Sequence, residues 1–118
     1  MINLKEAQKI VEGCLKKARE EEMKPITIAV LDTRGILVSS AMEDNSALIR
    51  PDIAFAKAWG CIGIGFSSRA IRDLYGAQPE QTHFFNAARA ISGNKIAPSP
   101  GGIIIKQGDD VIGAVGVS

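Results

Sequence analysis

The sequence has few residues that bind metals, and its charge is not concentrated in one sign. Its only histidine is His83, and its only cysteines, Cys14 and Cys61, form neither a C-x-x-C nor a C-x-x-C-H motif. That spacing excludes a zinc ribbon and the covalent attachment of a c-type haem. The 14 basic and 13 acidic residues are interleaved, so the chain lacks the basic block that nucleic-acid binding needs. We expect no metal site and no nucleic-acid partner.

Long hydrophobic runs are also absent. No segment approaches the roughly twenty apolar residues that a membrane-spanning helix needs, since the longest run, residues 53–66, contains three glycines and a lysine. The first ten residues read as the start of a helix and lack the basic start and apolar stretch of a signal peptide. We therefore expect no membrane partner and a cytoplasmic protein.

The chain is long enough for one hydrophobic core. Its 118 residues, of which 46% are hydrophobic, predict a single folded domain over residues 1–118. Segments rich in branched residues are joined by short turns that contain aspartate and glycine, and this pattern predicts two β-hairpins. Hairpin-linked strands form antiparallel sheets, so we predict an α+β fold with helices packed on an antiparallel sheet. The predicted strands are residues 26–31, 36–42, 102–106 and 111–117.

Helices are predicted between these hairpins and before them. Asn3 and Glu6 form a capping box at the start of the first helix, which should end near Met23 because Pro25 cannot continue it. A second helix should begin at residues 50–52 and loosen or end at the glycines that follow. Two further helices are predicted after a serine cap at 67–68 and after the proline at 79.

The second helix places a lysine among apolar residues. In RPDIAFAKAWGCIGIGF, residues 50–66, Arg50 and Lys57 are seven apart and share one face of a helix. Two cations on one stripe near a helix amino terminus favour an anion. Because burying an unpaired ammonium is costly, Lys57 either meets an anionic ligand, extends to water, or pairs with an acid such as Glu43, Asp44 or Asp52. The sequence leaves these alternatives open.

A second candidate is the segment IAPSPGG at residues 96–102. Its two prolines fix a bend, its two glycines allow another backbone to approach closely, and Ser99 supplies a hydroxyl. The segment fits the wall of a pocket beside the Arg50–Lys57 helix, and it fits equally the entry to a strand.

Other motifs are better explained by structure than by chemistry. GCIGIG at 60–65 lacks the spacing of a nucleotide-binding loop, and DTRG at 32–35 has no phosphate loop to accompany it, so a hairpin turn is the better interpretation. His83 is either a general base or haem ligand, or a surface residue of a helix.

Four motifs, in this order and spacing, resemble the GlcG/HbpS family of small haem-binding or "haem-degrading" domains. They are DTRGILV at 32–38, RPDIAFAKA at 50–58, PSPGG at 98–102 and GAVGVS at 113–118. The resemblance runs from Leu4 to Ser118 and implies a profilin-like antiparallel sheet with helices. Family members usually continue past the last motif, so the resemblance also implies that this chain lacks the family's C-terminal helix.

The resemblance implies several functions. Family members include an extracellular haem sensor that forms a large homo-oligomer and a lyase that acts on hydroxylaminobenzoate. The PduO-type members hold haem through a histidine in the first helix. Residues 4–23 contain no histidine, so His83, Tyr75 or a methionine would have to replace that ligand.

We therefore expect a small-molecule-binding protein with a pocket for an anionic ligand, either haem or a small aromatic or hydroxy acid. The expected ligand-binding residues are Arg50, Lys57, Ser99, Pro100, Gly101 and Gly102.

The alternative is an enzyme, a lyase or isomerase that acts on a small aromatic acid. In that case the expected catalytic residues are Lys57, His83 and Asp52. We also expect a homo-oligomer, with aromatic residues such as Trp59, Phe84 and Phe85 exposed on the subunit and covered at an interface.

Overall fold

A computed structural model describes all of residues 1–118. Its centre is one four-stranded antiparallel sheet with the strand order β2-β1-β4-β3, flanked by helices on both faces. The predicted α+β fold is therefore confirmed. The strands are β1 (Thr27–Asp32), β2 (Leu37–Met42), β3 (Gly102–Gln107) and β4 (Asp110–Val117), and the helices are α1 (Leu4–Glu20), α2 (Arg50–Ile64), α3 (Ser68–Ile71) and α4 (Thr82–Ile91).

Helix α1 covers the β1 and β2 half of one face of the sheet. Its capping box is present, since the Asn3 side chain accepts from the Glu6 N–H at 2.8 Å and the Glu6 carboxylate accepts from the Asn3 N–H at 3.1 Å. The buried residues Ala7 and Val11 pack against Ile28 and other strand residues. The local sequence thus sets where this helix begins and which side it buries.

The β1–β2 connection is the predicted turn. The Asp32 carboxylate accepts from the backbone N–H groups of Arg34 at 2.8 Å and Ile36 at 3.3 Å. Its side chain also pairs with the Arg34 guanidinium, and this hydrogen bond holds the pKa of Asp32 below its ordinary value. DTRG is therefore a hairpin turn that is stabilised by its own aspartate.

Helix α2 lies on the other face, where the backbones of helix and strand come unusually close. A Cβ added to Gly116 of β4 would overlap the carbonyl oxygen of Ala54, and one added to Gly102 would lie 2.5 Å from the carbonyl oxygen of Lys57. Glycine at these two strand positions is what allows α2 to sit against β3 and β4. The helix ends at Gly65, which has a φ of 97°.

The region from residue 68 to residue 91 departs from the predicted simple helices. Helix α3 is one turn long and continues as a π-helical turn, Arg72–Gly76, which is followed by a 3-10 turn, Pro79–Gln81, and then α4. Ser67, not Ser68, caps α3 through the Ala70 N–H. Phe85 lies in a core cluster with Ile71, whereas Phe84 is exposed. None of the helices combines the length and the hydrophobicity that a bilayer-spanning helix requires.

Candidate functional site

Lys57 is buried under the end of the β3–β4 ladder. The residue is only 7% exposed, and its ammonium group donates a hydrogen bond to the carbonyl oxygen of Val117 at 3.0 Å. This carbonyl lies one residue beyond the last pair of the β3–β4 ladder, Gly102 with Gly116. The amine therefore does not extend freely into water. It supplies the hydrogen-bond donor for a backbone carbonyl that no residue of β3 pairs with.

Arg50 is placed beside Lys57 by the helical spacing that the sequence predicts. Its guanidinium donates to the Ser118 hydroxyl at 3.2 Å. Burial, and then repulsion by the Arg50 charge, hold the pKa of Lys57 below its ordinary value of 10.5. Two positive charges thus lie close together at the amino-terminal half of α2.

No carboxylate neutralises this pair of cations. Neither Arg50 nor Lys57 takes part in any of the five ion pairs of the structure, and the Glu43 carboxylate pairs with Arg19 instead. Asp52 is exposed and borders a cavity between α2, β1 and β2. The acids near Lys57 in sequence are therefore not its partners in space.

The segment at 98–102 passes directly over the Lys57 side chain. Gly101 has a φ of 126°, and a Cβ there would lie 2.5 Å from the Val117 oxygen and 3.1 Å from the Lys57 Nζ. Its carbonyl accepts from the Val117 N–H at 2.9 Å. The fold leaves no space at Gly101 for a side chain, and the lysine amine occupies that space instead.

Gly102 turns its N–H away from the ladder. It donates to the hydroxyl of Ser68 at 2.6 Å, and Ser68 is completely buried. Ser99 is exposed and Pro100 is half-buried. Of the predicted ligand-binding residues, the structure thus brings Arg50, Lys57 and the glycines of this segment together.

The predicted enzyme residues do not form one cluster. His83 is exposed on α4, and no hydrogen bond or ion pair joins it or Asp52 to Lys57. None of the five principal cavities is lined by Lys57, Arg50 or residues 98–102. The cationic pair therefore lies outside the principal cavities, with Lys57 buried and Arg50 exposed.

Sequence reasoning missed two residues of this site. The sequence marks Ser68 only as one of two alternative helix caps, and no catalytic motif surrounds Ser118. Both meet their partners across more than thirty residues of chain, Ser68 with Gly102 and Ser118 with Arg50. No local pattern signals such contacts, because they depend on how α3 packs against the start of β3 and how the end of β4 meets α2.

A comparison with known protein families assigns nearly the whole chain to one family. A family model described as "haem degrading protein HbpS-like" matches residues 2–118. The chain belongs to this family. None of the curated proteins matches it significantly.

Solved structures share the same fold. The Klebsiella pneumoniae protein ORFY is 27% identical and superposes with a TM-score of 0.87 over 99% of this chain and 77% of that one. A structure of a PduOC:heme complex is 17% identical, with a TM-score of 0.82 over 95% of this chain and 78% of that one. A double mutant of Streptomyces reticuli HbpS is 15% identical, with a TM-score of 0.78 over 99% of this chain and 73% of that one.

Proposed function

We propose that the protein binds a small carboxylic acid at the surface formed by Arg50, Lys57 and Ser118. One observation carries the proposal: two cations lie side by side, one of them 7% exposed, with no carboxylate to neutralise them. A ligand carboxylate would supply the missing charge. The HbpS-like family supports a small-molecule-binding role for the chain.

The energetics favour a carboxylate over a neutral ligand. Hydrogen bonds to charged groups contribute about 1.5–3 kcal/mol each, and an anion beside Lys57 would offset the repulsion that Arg50 now exerts on it. Arg50 can also present a planar, two-pronged set of donors to a carboxylate. Because none of the principal cavities adjoins the pair, we expect the acid group of the ligand to make most of the contacts.

The backbone at Gly101 gives the site its second feature. Because a Cβ would lie 3.1 Å from the Lys57 Nζ and 2.5 Å from the Val117 oxygen, any side chain there would displace the amine or the carbonyl that it binds. Ser99 and Pro100 continue the same wall and are half-buried or exposed. We propose that residues 99–102 form the edge against which the acid rests.

Haem is the alternative ligand, supported by the family and by the heme complex of PduOC. Arg50 and Lys57 suit the propionate groups of a haem. They do not suit its iron, because none of Arg50, Lys57, Ser118 and residues 98–102 carries an imidazole, thiolate, thioether or phenol. A Soret shift on titration with haemin that is lost in His83→Ala would support haem ligation by the imidazole instead.

An enzymatic role has one observation in its favour. The lowered pKa of Lys57 leaves more neutral amine at a given pH than an ordinary lysine has, and a neutral amine accepts protons. A lyase or isomerase would then use Lys57 as its base. Since His83 and Asp52 are not joined to Lys57, we prefer binding to catalysis. Ammonia release from hydroxylaminobenzoate by the purified protein is the direct assay.

The binding proposal is tested by calorimetric titration with a panel of small aliphatic, hydroxy and aromatic acids. Lys57→Met and Arg50→Gln should each weaken the best ligand at least about tenfold, from the loss of one charge-assisted hydrogen bond. Lys106→Gln, which removes an exposed lysine on β3, is the matched control and should change nothing. Unchanged binding in both site variants would refute the proposal.

A homo-oligomer in the cytoplasm remains part of the proposal. Leu48 is 93% exposed and Ile103 is 60% exposed, and such apolar surface is suited to an interface between copies. Light scattering on the purified protein measures the subunit number, and cell fractionation tests the location. A stable monomer would contradict the first part.

A further inference from the structure

A separate cavity lies between α2, the π-helical turn and α4. It has a volume of about 600 Å³, and eight of its eleven lining residues are hydrophobic. Cavities of this size, mainly apolar with a few polar groups, are where proteins bind small organic molecules. The proposed carboxylate site does not use it, because neither Arg50 nor Lys57 lines it.

One wall of the cavity is the indole of Trp59, the only tryptophan of the chain. A Cβ at Gly63 would lie 2.6 Å from the indole ring, and one at Gly35 would lie 2.9 Å from its Nε1. The two glycines therefore leave room for the ring and fix its position. An aromatic ring held in this way is a preorganised stacking surface.

Tyr75 and Phe84 also line the cavity and are in contact with each other. Their ring centroids are 5.1 Å apart with an interplanar angle of 41°. Tyr75 belongs to the π-helical turn Arg72–Gly76, and such turns are often found at functional sites. Three of the chain's six aromatic residues thus line this one cavity.

The charge that lines the cavity is positive and comes from one residue. Lys95 is its only charged lining residue, and its ammonium lies 5.5 Å from the centroid of the Trp59 ring. Lys95 takes part in none of the ion pairs of the structure. Ser92 lines the cavity as well, but its hydroxyl already donates to the Arg89 carbonyl at 3.0 Å. An occupant that satisfies this lining has an aromatic body and a single negative group.

We propose that this cavity binds an aromatic monocarboxylate, with its ring against the aromatic lining of Trp59, Tyr75 and Phe84 and its carboxylate on Lys95. The site is distinct from the Lys57 surface, since Trp59 and Lys57 are two residues apart in α2 and so point to opposite sides of the helix. Each of the two sites can therefore be removed without the other.

The test uses hydrocinnamate as the probe and its neutral alcohol as the uncharged analogue. Because the chain has a single tryptophan and this tryptophan lines the cavity, its fluorescence reports occupancy directly, and calorimetry gives the affinity. Lys95→Gln should weaken hydrocinnamate by roughly tenfold and leave the alcohol unchanged. Ala87→Phe, at an exposed lining position, should abolish the binding of both compounds by filling the cavity.

Lys106→Gln is the matched control and should not change the tryptophan response, whereas Lys57→Met removes the proposed carboxylate surface and serves to separate the two sites. Loss of the response in Lys57→Met but not in Lys95→Gln would overturn the proposal and assign the acid to the other site. Equal affinity for the acid and the alcohol in the native protein would overturn the proposal that Lys95 binds the carboxylate. The absence of a saturable response, or self-association that buries Trp59 and excludes the probe, would overturn it entirely.

Discussion

The two faces of the sheet are covered by helices in different ways. On one face, α1 and the strands are held apart by interlocking side chains, with Ala7 and Val11 against Ile28. On the other face, α2 rests on strand positions that have no side chain, and a Cβ on Gly116 would overlap the Ala54 carbonyl. The first contact is made by side chains and the second by backbone.

This difference explains where the candidate site lies. A close contact between backbones brings the Lys57 side chain under Gly101 and within 3.0 Å of the Val117 carbonyl. Branched side chains on the strands would have lifted α2 away from the sheet, and the amine would then reach water. The side-chain contact with α1 stabilises the fold, and the backbone contact with α2 also positions a charge.

The largest expected effect is on the α2 face. Gly116→Val places a branched side chain where the Ala54 carbonyl lies, so we expect the free energy of unfolding to fall by more than about 4 kcal/mol, or no folded protein. Chemical denaturation measures it. Gly13→Ala is the control, because nothing lies within 4 Å of a Cβ there, and it should stabilise α1 by about 0.5–1 kcal/mol. If Gly116→Val leaves the free energy of unfolding unchanged, α2 does not depend on a close backbone contact with the sheet, and the two faces do not differ in this way.

The second effect is on the α1 face. Ile28 is completely buried, and Ile28→Ala should lower the free energy of unfolding by about 3 kcal/mol through lost burial and a residual cavity. Ile103→Ala, at a residue that is 60% exposed, should change it by less than about 0.5 kcal/mol. If Ile28→Ala lowers the free energy of unfolding more than Gly116→Val does, the α2 face is not the more sensitive of the two to substitution.

A smaller effect is expected from pH. The pKa of Lys57 lies below 10.5 in the folded protein because of burial and then Arg50, so the unfolded chain holds the proton more tightly. Between the folded pKa and 10.5, stability should rise with pH by at most about 1.4 kcal/mol per pH unit. Lys57→Met should lack this rise. Identical pH profiles for the two proteins would mean that the amine is not buried.

The smallest effect is at the start of α1. Asn3→Ala removes the side-chain acceptor for the Glu6 N–H and should lower the free energy of unfolding by about 1 kcal/mol. Asn86→Ala, at an exposed position of α4, should cause no loss. A loss in both variants would show that the capping hydrogen bond is not the cause.

Much of the fold was predictable because its signals are local. The capping box of Asn3, the Asp32 turn and the β-branched strands each follow from residues within a few positions of one another. The boundaries near residues 68–81 were not predictable, since the π-helical and 3-10 turns there have no distinctive sequence. The glycines at 60, 63 and 65 are predicted to loosen or end α2, and the structure ends the helix at Gly65 but keeps Gly63 inside it beside the Trp59 ring.

The candidate site was predictable only in part. Helical spacing alone placed Arg50 and Lys57 on one face, and composition alone marked the glycines at 101–102. Ser68 and Ser118 were not predictable, and neither was the cavity around Trp59 and Lys95. Each of these depends on which distant segment packs against α2.

The sequence by itself determined the first two helices, the antiparallel hairpins and the presence of a lysine within an apolar helix, because capping, turn chemistry and periodicity act over a few residues. Only the tertiary structure decided what that lysine meets. Its partner is the Val117 carbonyl, sixty positions away, and the two meet because glycines let α2 lie against β3 and β4. A hydrogen bond between such distant groups depends on how closely two backbones approach, and that distance is set by packing.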